Sequence, residues 1–122
     1  MAQNRVGGII FLKIDGRQYK AKGDFSYNLG KPMREAVVGA DAVHGYSEKP
    51  QVAFVEGEIT DSANLDLATL VQSDGVTVTL ELANGKVIVL NQAWFAGEGT
   101  GNTGEGNIEV RFESALEAEE IR

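Results

Sequence analysis

At 122 residues the chain is long enough to bury the core of one domain spanning 1–122 and too short for two. It has no cysteine, which excludes disulfides, thiolate metal sites and cysteine nucleophiles together and fits a reducing compartment. The net charge of −7 argues against a surface built to grip nucleic acid. The longest apolar run, 7–12, is far short of a membrane span, and the N-terminus lacks the apolar stretch of a secretory signal. A soluble, untargeted chain without membrane insertion is therefore expected.

Residues 1–8 carry no pattern and read as a mobile arm. Ile9 to Ile14 is the first predicted strand, and Asp15-Gly16 is a hairpin signal because both central positions of such a turn favour positive φ. On the return, Arg17 to Tyr27, one core-like face carries Tyr19, Ala21, Phe25 and Tyr27, while Gln18, Lys20, Lys22, Asp24 and Ser26 share the wet face.

The stretch 28–50 is punctuated by Gly30, Pro32, Gly39, Gly45 and Pro50 and predicts a long irregular loop with a helical turn near Met33 to Val38. Its apolar residues Leu29, Met33, Val37, Val38, Val43 and Tyr46 are unusual for a free linker. Two readings stay open from composition: the loop folds onto its own domain, or another subunit buries it.

The clearest strand follows. Ala53, Val55, Gly57 and Ile59 form a small apolar face, and Val52, Phe54, Glu56, Glu58 and Thr60 form a face that begins apolar and ends in carboxylates. Asn64 is the expected cap of a short helix, with Asp66 at the positive end of its dipole, Leu67, Leu70 and Val71 as its apolar stripe and Gly75 as its end. Next comes a hairpin in which Val76, Val78, Leu80 and Leu82 alternate with polar residues and Asn84-Gly85 predicts a type I′ turn. The returning strand, Lys86 to Gln92, is apolar on both faces at Val87 to Leu90 and so predicts cover on both sides. The glycine-rich segment 97–106 reads as a flexible hairpin tip. In the last strand, Asn107 to Ser114, Ile108, Val110 and Phe112 oppose Glu109, Arg111 and Glu113. The acidic tail 115–122 is compatible with a frayed helix or an extended arm.

No catalytic constellation emerges. Gly99 to Gly104 matches the G-x-G-x-x-G pattern, but a strand rather than a helix follows, and Glu98 and Glu105 would repel a pyrophosphate. His44 is the only histidine, which excludes a multi-histidine metal site. Glu56 and Glu58 point the same way along a strand, not across a substrate, and Asp61, Asn64 and Asp66 lack calcium-loop spacing and suit helix capping. The expectation is a non-enzymatic protein with no cofactor and no metal.

Several segments in order carry a family likeness: Gly39, the approach to Pro50, Glu56-Gly57-Glu58-Ile59-Thr60-Asp61, Leu65-Asp66-Leu67 with Leu70, Leu82-Ala83-Asn84-Gly85-Lys86, and Asn107-Ile108-Glu109-Val110-Arg111-Phe112-Glu113. From about Gly30 to Ile121 the chain resembles the tail tube proteins of Mu-like contractile-tailed bacteriophages. The resemblance implies a mainly β fold, a two-sheet β-sandwich or partly rolled barrel with one short flanking α-helix and a long loop at about 28–50. It implies hexameric rings stacked into a hollow tube in the virion tail, assembled in the host bacterial cytoplasm. It also implies sheath, baseplate, tape-measure and tail terminator partners, with DNA as passing cargo only.

Within that frame Glu56 and Glu58, moderated by Lys20 and Lys22, are the candidate lumen-facing residues, and Leu29, Met33, Val37, Val38, Val43 and Tyr46 are the candidate inter-subunit loop residues. An acidic wall repels phosphate and lets DNA slide. The alternatives are a tube subunit of a type VI secretion or pyocin-like system, and a ligand-binding β-sandwich that recognises sugar or another small ligand with Trp94 and Phe95 as its aromatic platform.

Overall fold

The computed structural model describes residues 11–122; the arm expected at 1–8 and the start of the first expected strand lie outside the described residues. In chain order the elements are β1 (Phe11–Ile14), β2 (Arg17–Asn28), β3 (Met33–Val38), β4 (Val43–Lys49), β5 (Ala53–Thr60), α1 (Leu67–Val71), β6 (Val76–Glu81), β7 (Val87–Phe95), β8 (Gly101–Asn102), β9 (Asn107–Ser114) and β10 (Glu119–Ile121). Every strand pairing is antiparallel.

Six strands close on themselves in the order β7-β6-β1-β2-β5-β9, the last seam being Trp94 opposite Glu113 and Phe95 opposite Phe112. The mainly β expectation holds, and of its two forms it is the rolled barrel, fully closed, that the chain adopts. Strand alternation fills it. Leu12 and Ile14, Val55 and Ile59, Val78 and Leu80, Ile88 and Leu90, and Ile108, Val110 and Phe112 are all buried inside, with Leu70 from α1 plugged into the same core. The rings of Phe95 and Phe112 meet edge to face, 5.3 Å between centroids.

Gly57 fits this packing by having no side chain: a Cβ there would lie 2.6 Å from the Phe25 ring, which covers β5 where β2 shifts register between Lys22 and Ser26. Asp15 ties the first hairpin to β6, its side chain accepting from the Thr77 backbone N–H at 2.8 Å.

Closure depends on a bend in β7. Val76 faces Ala93 but Val78 faces Leu90, so β7 carries one extra residue, and Gln92 takes up the slack at φ 53°. The first half of β7 can then pair with β10 and the second half with β9. A non-glycine residue in the left-handed region is strained, most of all a β-branched one. Gln92→Val is expected to lower stability by about 1–2 kcal/mol while Gln92→Gly leaves it unchanged or higher, a contrast that urea denaturation of the two variants measures. Equal midpoints would remove the bulge from the account of closure.

Three local expectations are corrected and one open choice is decided. The stretch 28–50 is neither an irregular loop nor helical near Met33 to Val38, but a two-stranded hairpin, β3 with β4. Its punctuating residues fit the hairpin: Pro32 precedes β3, Pro50 follows β4, Gly39 starts the turn by donating to the Ala42 carbonyl, and Gly45, at φ 126°, allows the register shift beside Val37.

The helix is capped by Asp66, not Asn64, because the chain turns between Ser62 and Leu65 first. The Asp66 carboxylate accepts from the Thr69 hydroxyl at 2.8 Å and from its backbone N–H at 3.2 Å, bonds that lower its pKa. The helix ends at Gln72, ahead of Gly75.

The turn at Asn84-Gly85 is not type I′, since only Gly85 has positive φ, 94°; the Gly85 N–H bonds to the Leu82 carbonyl, as in a type I turn with a glycine bulge. Finally, the acidic tail is an extended arm. Its β10 segment lies along Val87 to Val89, with Glu120 paired to Lys86 at 2.9 Å, and it supplies an edge to β7 while Val87 and Val89 stay half-buried on their outer side.

Candidate functional surfaces

Two surfaces stand out. The first is the outer face of β2, β5 and β9, where alternation turns the apolar residues inward and leaves the charged ones outside. Register stacks them in rows: Asn28, Phe54 and Glu113; Ser26, Glu56 and Arg111; Lys22, Glu58 and Glu109. Arg111 is the hub. Its Nη1 lies 2.7 Å from Glu56, its Nε lies 2.8 Å from Glu113, and its guanidinium sits 4.1 Å from the centroid of the Phe54 ring. Burial pulls the Arg111 pKa down, but the hydrogen bonds to Glu113 and Glu56 outweigh that and the net shift is upward.

Glu58 accepts from the Asn107 amide at 2.8 Å and faces Glu109 directly across the strand pair, a like-charge juxtaposition that is unfavourable unless water or a cation intervenes. Lys22 donates to the Glu105 carbonyl. Asp24 and Glu98 border the same shallow depression as Glu56, Glu58 and Glu109.

Glu56, Glu58 and Lys22 are thus brought together, whereas Lys20 is paired with Phe11 of β1. Sequence reasoning missed Arg111 and Glu109 as members of this face. The charged alternation of β9 was visible in the chain, but nothing in periodicity says that β9 lies beside β5.

The second surface is the β3–β4 hairpin, exposed at every position of both strands. Val38 pairs with Val43 and Ala36 with Tyr46; Val38 is 69 %, Val43 67 % and Tyr46 55 % exposed. Arg34 lies 4.5 Å from the Tyr46 ring centroid, and cross-strand pairs Lys49–Glu35 at 3.0 Å and Arg34–Glu48 at 3.5 Å brace the base. Met33 and Val37 are exposed as well. Leu29, grouped with these from the sequence, differs from them: it is half-buried against the barrel core, and its carbonyl accepts from Ala118. His44 sits at the hairpin tip, 3.4 Å from Asp41.

Among the described residues no group of three or more histidines, cysteines, aspartates or glutamates is placed to hold a metal ion. Trp94 and Phe95 are half-buried in the barrel seam and do not form the exposed platform that a sugar-binding sandwich needs. The glycine pattern 99–104 spans β8 and the turn after it, where the Asn102 side chain accepts from the N–H groups of Gly104 and Glu105.

The cryo-EM structure of the anti-feeding prophage cap, a tube-terminating cap, superposes with a TM-score of 0.62 over 99 % of this chain and 97 % of that one; at 6 % identity the likeness is one of fold. The sequence narrows it. A family model described as phage tail tube protein matches residues 3–118, and the chain belongs to that family. It is 31 % identical over 107 residues to the Mu-like prophage FluMu tail tube protein of Haemophilus influenzae, covering 88 % of this chain and 89 % of that protein. It is also 29 % identical over 105 residues to the tail tube protein of Escherichia phage Mu, covering 86 % and 88 %.

Proposed function

We propose that copies of this tail tube subunit form hexameric rings that stack into the conduit of a contractile tail, and that the tube passes DNA without chemistry of its own. The observation that carries this reading is the hairpin. A segment of two well-formed strands with valines and a tyrosine on its surface has no reason to remain uncovered in a soluble domain, and family membership makes another copy of the chain the natural cover.

The acidic face of β2, β5 and β9 suits the bore, since a polyanion meets carboxylates there and is not retained. In this reading Met33, Val37, Val38, Val43 and Tyr46 meet the neighbouring subunit or ring. Glu56, Glu58 and Lys22 line the passage, with Lys20 at its margin. Sheath, baseplate, tape-measure and terminator proteins are the other contacts of such a tube, within the virion tail and its assembly in the bacterial cytoplasm.

Negative-stain microscopy of the purified protein over a range of concentrations tests the proposal. Rings with a central hole, stacking as concentration rises, are expected; compact single subunits at every concentration would refute it.

A further inference from the structure

An acidic wall with an arginine in its middle poses a problem for a passage that must not hold phosphate. Guanidinium is the side chain best matched to phosphate oxygens, and one exposed arginine per subunit would be repeated around every ring. The neighbours of Arg111 address this. Glu56 and Glu113 approach its Nη1 and Nε at 2.7 and 2.8 Å, and the ring of Phe54 covers one side of the guanidinium plane at 4.1 Å. The Arg111 side chain is left only 28 % exposed.

We propose that Glu56, Glu113 and Phe54 form a cage that cancels the affinity of Arg111 for nucleic-acid phosphate, so that the arginine holds two like-charged strands together without becoming a brake on DNA. Glu56 and Glu113 lie on adjacent strands one row apart, and their mutual repulsion is what Arg111 relieves. Glu56 and Glu113 act through Arg111 and are positioning residues; the group that would touch phosphate is Arg111 itself. The inference rests on the reading of this face as a DNA passage, but its chemistry can be measured apart from assembly.

The test compares two charge-matched variants. Glu56→Gln with Glu113→Gln removes two carboxylates from around Arg111, while Glu58→Gln with Glu109→Gln removes two from the neighbouring row and leaves the cage intact. Binding of a short fluorescein-labelled DNA duplex is followed by anisotropy at low salt, with thermal unfolding as a check on the fold.

The first variant is expected to bind at least about threefold tighter than the second, because an uncaged guanidinium gains a phosphate contact. The gain should fade as salt rises and vanish when Arg111→Gln is added. Equal binding by the two variants, or a gain that survives Arg111→Gln, would overturn the cage and leave only net charge. Ring formation, read separately by microscopy, decides the tube reading. Rings without the difference refute the cage alone; the difference without rings refutes the tube alone.

Discussion

Replacing Val38 and Val43 together by aspartate is expected to abolish assembly and leave the barrel folded. The two residues are Cα partners across the hairpin and are its most exposed apolar side chains, so in a dispersed subunit the new carboxylates stay in water. Exposed substitutions of this kind usually change stability by no more than about 0.5 kcal/mol each, with some local loss of hairpin pairing from two like charges face to face. Assembly is different, because a carboxylate taken out of water without a partner costs several kcal/mol, and every interface of a closed ring would carry that cost twice. Light scattering and microscopy should show single subunits at concentrations where the proposed rings of the parent protein form, while circular dichroism and the thermal midpoint stay close to those of the parent. Rings formed by the double variant would remove the hairpin from the interface.

The largest expected effect on stability lies at Phe112. Its side chain is fully buried, packed edge to face on Phe95 at the β7–β9 seam that closes the barrel. Truncation of such a phenylalanine to alanine costs about 3–5 kcal/mol, from lost transfer free energy and the cavity left behind. That is a large share of the roughly 5–15 kcal/mol that holds a domain folded. With a urea dependence of about 1–3 kcal/mol/M, Phe112→Ala should move the midpoint down by at least about 1 M. A loss below about 1 kcal/mol would mean that the seam packs loosely and that closure contributes little to stability.

Strand alternation identifies most of the interior of this molecule; it fails at Tyr27, placed on the core-like face of 17–27 but exposed beyond the register shift between Lys22 and Ser26. Ala53, Val55 and Ile59, Val78 and Leu80, and Ile108, Val110 and Phe112 are read inward from period two, and the structure buries every one of them. The Asp15-Gly16 turn is equally plain, since both residues adopt the positive φ that their identities favour.

What alternation does not contain is partnership. Closure of β7 on β9 and the meeting of Arg111 with Glu56 are pairings between segments distant in sequence, the first of them set by the bend at Gln92. The hairpin at 33–49 escapes a local reading for another reason. Glycine and proline normally mark a loop, but here they sit at a strand start, a turn, a register shift and a strand end, and the strands between them gain little burial to announce themselves. Asp66 over Asn64 was a choice between two competent caps that only the path of the preceding turn decides.

Amide hydrogen exchange over residues 33–49, in dispersed Val38→Asp/Val43→Asp subunits and in assembled parent protein, tests most directly whether the hairpin is an assembly element. Fast exchange in the dispersed form and strong protection in the assembled form are predicted, with the barrel strands protected in both. A hairpin that exchanges equally fast in both forms would contradict the account.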